Sequence, residues 1–279
     1  SLTGGGAVGL FNIGVIQALQ EAKIPINLLV GTSMGSVVAS MYGSGLEIEQ
    51  IEKIVTKTPF SRMFDLNIGD ASSLLKTAKV NQFVESIAPN DRLENFLIPT
   101  GLLSLDLISG HKYLSTTGKI TEVLSTSYAI PFFFPAYKAD GRYFVDPGIV
   151  ENSPAKATKL LGADFVISTV MGGGIREEKR KYNTATKSAF RYLDLIQRAN
   201  TETIVNKYAD FVIKPDVSEY GFMDFNSADE LIKIGYRTTK RIIPELKSKL
   251  IENRIELERQ EPRFKLNLSP QLNDLKYDR

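Results

Sequence analysis

The chain has 279 residues, 43% of them hydrophobic and 24% charged, and a formal net charge of +2. That make-up is globular and excludes a fibrous, collagen-like or wholly disordered chain, and so small a charge gives no electrostatic case for a nucleic-acid partner. Cysteine is absent and histidine occurs once, at His111, which excludes disulfides, thiolate zinc sites, iron–sulfur clusters and a cysteine nucleophile.

No run approaches the roughly 18 apolar residues of a spanning helix. The chain opens on Ser1-Leu2-Thr3 without the charged and apolar regions of a signal peptide, and so abrupt a start points to a trimmed sequence. Residues 9–22 predict a helix apolar on nearly every side, hence buried, with Pro25 after its end. Ile26 to Val30 predicts a buried strand, and Met34 to Tyr42 a helix of small residues. Leu46 to Thr56 has helical spacing. The surrounding stretch, 46–96, including the loop-like Asp65–Ser73, is expected to be a lid or cap.

Strands are predicted at Leu102–Ile108 and Tyr113–Leu114, then a helix over Lys119–Tyr128. Asp140-Gly141 between Tyr137–Ala139 and Arg142–Val145 is a hairpin signal. Ser153-Pro154 reads as a helix cap followed by a first-turn proline, with Gly162 closing that helix. A strand over Asp164–Val170, a helix over 184–207, a strand over Phe211–Lys214 and a long helix over 227–260 follow. Between Asp229 and Arg259 that last helix mixes eight basic and six acidic residues, the pattern of an exposed face with salt bridges. The alternation argues an α/β fold with a largely parallel sheet.

Gly4-Gly5-Gly6-Ala7-Val8-Gly9 fits G-x-G-x-x-G. The following strand ends without the acid that a dinucleotide ribose requires, and no Gly-Lys-Ser/Thr makes it a phosphate loop. A glycine run opening a helix also turns backbone N–H groups outward and suits the oxyanion of a tetrahedral intermediate. Gly31-Thr32-Ser33-Met34-Gly35 matches G-x-S-x-G, in which serine sits on a sharp strand-to-helix turn.

A serine nucleophile needs a base. His111 lies in the turn-like Ser109-Gly110-His111, and no histidine follows it, so the Ser–Asp–His order of the α/β-hydrolases is not met. His111 therefore reads as a surface turn residue. Asp146, at the end of Tyr143-Phe144-Val145, is the remaining candidate, and apolar surroundings such as Phe132-Phe133-Phe134 would raise its pKa toward a useful value.

Taken together, these motifs resemble the patatin-like phospholipases, most closely the bacterial single-domain members. The resemblance also rests on Ile13 to Leu19, Ala129-Ile130-Pro131-Phe132-Phe133-Phe134-Pro135, Asn152-Ser153-Pro154 and Leu161-Gly162-Ala163-Asp164, and covers about residues 4–174. It implies a three-layer α/β/α fold over residues 1–279 as a single domain. Its catalytic core would be about 1–174, with a C-terminal extension over about 175–279. It implies Ser33 as nucleophile, Asp146 as base, and Gly4, Gly5 and Gly6 as the oxyanion loop, with no metal and no cofactor. Substrates would be phospholipids, lysophospholipids or neutral acyl esters, met at a membrane surface by a cytoplasmic or peripherally bound enzyme.

The family usually has arginine at the position of Val8, a glycine at that of Pro147, and an apolar strand before the glycines. Val8 and Pro147 keep open a catalytically silent lipid-binding relative, while the missing strand points to trimming. A thioesterase or acyltransferase using the same acyl-enzyme is the alternative within the class. Six basic residues among 176–191 (Arg176, Lys179, Arg180, Lys181, Lys187 and Arg191) read as a solvated loop, with contact to anionic lipid as the other reading.

Overall fold

A computed structural model describes residues 1–58, 65–66, 75–76, 78–173 and 183–253. A short 3-10 turn, Gly6–Leu10, runs straight into α1, Phe11–Glu21, whose residues 11–16 are all buried. Then come β1 (Leu29–Gly31), α2 (Met34–Gly43) and α3 (Ile48–Lys57), the last opened by a capping box between Glu47 and Gln50. The pair β2 (Asp65–Leu66) and β3 (Leu75–Lys76) is antiparallel and precedes α4, Ala78–Ile87. Residues 67–73 of the expected loop lie outside the described residues.

The strands β4 (Thr100–Asp106) and β5 (Lys112–Ser115) lead into α5, Ile120–Tyr128. The hairpin β6 (Tyr137–Ala139) and β7 (Arg142–Val145) turns at Asp140 and Gly141, both at positive φ, as a tight primed turn requires. After α6 (Gly148–Glu151) and α7 (Ala155–Leu160) come β8 (Ile167–Thr169), α8 (Ala185–Tyr208), β9 (Phe211–Ile213) and α9 (Ala228–Glu252).

The sheet is mixed rather than largely parallel. β1 pairs parallel with β4, and β8 with β9, whereas β4–β5, β4–β7 and β6–β7 are antiparallel. Hairpin connections set β4–β5 and β6–β7 antiparallel, and β7 then pairs antiparallel with β4 across β5, α5 and β6; the parallel pairs are bridged by helices. Ser1 to Thr3 lie between β1 and β8: Leu2 N–H donates to Val30 O at 2.8 Å, and Thr169 N–H to Ser1 O at 3.0 Å.

Alternate residues of β1 and β4 face opposite layers. Leu29 packs with Ile13, Ile16, Val38 and Met41, and Leu102 with Ile120 and Leu124. Val30 and Leu103 pack with Ala157 and Leu161 of the α7 layer. The result is a three-layer α/β/α arrangement. α1 and α9 cross with almost no space between backbones: a Cβ on Gly235 would stand 2.0 Å from Phe11 O, and one on Gly14 1.9 Å from Ile232 O. The C-terminal helix is thus keyed into the core.

Two local readings are corrected. α3 is no lid, because Ile48, Ile51 and Val55 are buried with α1 and α9 residues. Ser153 does not cap α7; its hydroxyl contacts Ser168 Oγ at 2.7 Å and donates to Thr169 O at 2.8 Å, and Pro154 holds the cap position. The mixed charges of α9 do pair, Lys233 with Asp229 and Glu230 and Lys240 with Glu21.

Candidate active site

Topology brings the two candidate residues together. β1 and β7 both lie along the edge of β4 opposite β5, but they run in opposite directions. The last residue of β1, Gly31, pairs with Leu102, and the last of β7, Val145, pairs with Leu105. The two strands therefore end facing each other across three residues of β4, about 10 Å. Ser33 lies two residues beyond one end and Asp146 one residue beyond the other.

Ser33 is 3% exposed and has φ 55° and ψ −125°, a conformation rare outside glycine. The turn is held on every side. A Cβ on Gly31 would meet Gly35 O at 2.5 Å, and one on Gly35 would meet Leu2 O at 2.1 Å, so both glycines of the motif are sterically required. Ser33 N–H donates to Ser127 Oγ at 3.3 Å, and Ser127 Oγ also contacts Ser36 Oγ at 2.7 Å. Thr32 Oγ1 donates to Glu151 O at 3.0 Å.

Asp146 is 8% exposed. Its N–H donates to Ala129 O at 3.0 Å, fixing it to the end of α5. Oδ1 accepts Gly148 N–H at 2.7 Å, while Oδ2 is buried, with the Ser33 hydroxyl near the carboxyl but no hydrogen bond of full geometry to Oδ2 among the described residues. Burial pushes the carboxyl up from 3.8 to about 6; the neighbouring Ser33 hydroxyl and the Gly148 N–H oppose that rise. The serine thus bears on the carboxyl without saturating it, which leaves Oδ2 able to take a proton. Pro147 fits here because it stands at the cap of α6, where its missing N–H has no role, and its carbonyl accepts from Val150 and Glu151.

The three loop glycines differ. Gly4 N–H donates to Asn152 O at 3.1 Å, which ties the start of the loop to the segment after α6. Its lack of a side chain matters too, since a Cβ there would lie 2.7 Å from both Ser33 Cβ and Asn152 Oδ1. Gly5, at φ 135°, and Gly6, at φ 57°, have no acceptor for their N–H groups among the described residues. Val8 is buried with Phe11, Val15 and Leu231, an apolar site that the usual arginine would not suit.

His111 lies in the turn between β4 and β5, where its carbonyl accepts Asp106 N–H at 2.9 Å, and it is not among the groups acting on the Asp146 carboxyl. Several site residues escaped the sequence reading. Lys112 Nζ and Glu151 Oε2 form a 2.6 Å ion pair with side chains 8% and 0% exposed, locking β5 to the turn after Asp146. Every residue of β5 is buried, so alternation could not single out the lysine. Gln197 of α8 reaches within 3.1 Å of where a Gly148 Cβ would stand, beside Asp146 Oδ1. No local signal marks it. Of the basic segment, only Lys187 and Arg191 fall within the described residues.

A family model described as patatin-like phospholipase matches residues 1–159. The chain belongs to the patatin-like phospholipase family. Among curated proteins, an uncharacterized NTE family protein of Mycobacterium tuberculosis is 31% identical over 175 residues, 62% of this chain and 48% of that protein. A lysophospholipase of Pyricularia oryzae is 22% identical over 85% of this chain and 18% of its own length. The neuropathy target esterase sws of Drosophila melanogaster is 24% identical over 84% of this chain and 19% of its own. The chain therefore spans half or less of these relatives. Among solved structures, VipD from Legionella pneumophila shares the patatin-like fold with a TM-score of 0.58 at 17% identity, over 87% of this chain and 66% of that one. Among the described residues no helix is long and apolar enough to cross a membrane.

Proposed function

We propose that this patatin-like protein is a serine hydrolase of lipid carboxylic esters, acting on phospholipids or lysophospholipids through Ser33 and Asp146. The observation that carries the reading is the buried Asp146 carboxyl beside Ser33, with Oδ2 unsatisfied and an affinity for protons raised to about 6. Ser33 Oγ attacks the ester carbonyl as its proton passes to Asp146. The N–H groups of Gly5 and Gly6, at the positive end of the helical run into α1, stabilise the oxyanion. Collapse of the tetrahedral intermediate releases the alcohol, which takes the proton from Asp146, and leaves an acyl-Ser33. Water, deprotonated by Asp146, then attacks the acyl-enzyme and frees the fatty acid and Ser33. The near-neutral protein would meet such substrates at a lipid surface, as a peripheral enzyme.

Active-site labelling with a fluorophosphonate, mapped by mass spectrometry, tests the assignment. Labelling falls on Ser33, is lost in Ser33→Ala and Asp146→Asn, and persists in His111→Ala. Absence of labelling in folded protein points to a silent lipid-binding relative, and dependence on His111 overturns the dyad. A lipid panel then separates hydrolysis from thioester cleavage or acyl transfer.

A further inference from the structure

We propose that the rings of Phe132 and Phe190 are this protein's contact with a phospholipid surface, at the entrance to the site. The inference rests on the lipid-hydrolase reading above.

Phe132 sits at φ 74°, a strained conformation for a bulky residue, and its ring is 64% exposed. Two residues on, Phe134 is 6% exposed and packs edge-on against Tyr128 at 5.4 Å. The backbone twist thus separates a core ring from a surface ring. The ring of Phe132 meets that of another exposed residue, Phe190, at 5.6 Å and 65°. Phe190 is 41% exposed and lies in the opening turns of α8, where residues 183–190 are all exposed.

The rings continue inward. Phe133 lies 6.2 Å from Phe190 and 5.1 Å from Phe222. Phe222 covers Gly6 so closely that a Cβ there would be 2.5 Å from its ring, and its carbonyl accepts Ala7 N–H at 2.8 Å. An unbroken aromatic series therefore leads from the glycine loop beside Ser33 to solvent.

That continuity decides the occupant. The rings are packed one on the next from the outer pair to the glycine loop, so a lipid surface that seats Phe132 and Phe190 lies next to the residues that would act on its esters. Exposed aromatic rings suit the boundary between headgroups and acyl chains. The exposed Lys187, one turn before Phe190, suits a headgroup phosphate, whereas Arg191 is paired with Asp194 at 2.5 Å. Phe132 and Phe133 lie inside the family match, residues 1–159, and Phe190 and Phe222 outside it, so the chain's own C-terminal part completes this surface.

The test uses the full chain carrying Ser33→Ala, so that binding is read without hydrolysis, in co-sedimentation with phosphatidylcholine vesicles, with and without phosphatidylglycerol. The Ser33→Ala protein is expected to pellet with vesicles. Adding Phe132→Ser or Phe190→Ser weakens partitioning about tenfold each, the worth of one inserted ring. Leu97→Ser removes an equally exposed residue, 70% exposed, just before β4 at the far end from Ser33, and leaves partitioning unchanged. Thermal melts confirm that each variant is folded. No sedimentation, or equal loss with Leu97→Ser, overturns the proposal. A parent protein that hydrolyses a short soluble ester but never binds vesicles refutes this surface alone. One that binds through these rings but hydrolyses nothing refutes the hydrolase reading alone.

Discussion

Replacing Asp146 with asparagine is expected to abolish activity and to make the protein more stable, and the gain depends on pH in a defined way. The folded carboxyl holds its proton up to about pH 6, against 3.8 for the ordinary group. Between these values the native state binds more protons than the unfolded chain. Stability on this account is fully present below about pH 4, falls as pH rises through the window, and stays reduced above about 6. A rise from 3.8 to about 6, at about 1.4 kcal/mol per pH unit, amounts to about 3 kcal/mol at neutral pH. Asparagine keeps an oxygen for Gly148 N–H and removes the buried charge. Urea unfolding of the parent and Asp146→Asn at pH 4 and pH 7 measures the effect. The variant should be the more stable at pH 7, by up to about 3 kcal/mol, with the gap closing toward pH 4. The parent's kcat/KM for an ester should fall as pH drops below about 6, because protonation removes the base. A variant less stable at both pH values, by the same amount, would refute the claim that Asp146 is held ionised at a cost.

Gly4→Ala puts a methyl group 2.7 Å from Ser33 Cβ; kcat is expected to fall about a hundredfold or more, with slower fluorophosphonate labelling, while KM for a soluble ester changes little. Lys112→Met leaves the Glu151 carboxylate buried without its cation and should cost about 3–5 kcal/mol in urea unfolding. Lys112→Met combined with Glu151→Leu should lose less than the single change. Gly235→Ala forces a methyl group onto Phe11 O, 2.0 Å away, and should cost about 3 kcal/mol or more, read as a lowered melting temperature.

Local chemistry was legible where one short segment sets the structure. Asp140-Gly141 demands a primed turn and forms one; Ser33 sits on the strained elbow that its flanking glycines permit; and the mostly apolar stretch after Gly9 makes a largely buried helix. Reading failed where a partner distant in sequence competes. The Ser153 hydroxyl is drawn off to Ser168 and Thr169, so it does not perform the capping role its local motif suggests.

Ser33 could be named as a candidate from local glycine spacing, and Asp146 from the lack of a suitable histidine and the family resemblance. Their meeting could not. It depends on β7 running antiparallel to β4 on the same edge that β1 runs parallel to, so that two strand ends converge. The pairing of Lys112 with Glu151, the reach of Gln197 toward Gly148 and the aromatic series from Gly6 to Phe132 likewise join segments far apart in the chain. Sequence by itself determines which backbone conformations each segment tolerates and which side chains seek burial. Only tertiary packing decides which buried groups face one another, because burial is non-directional and each polar group takes whichever partner the assembled layers present.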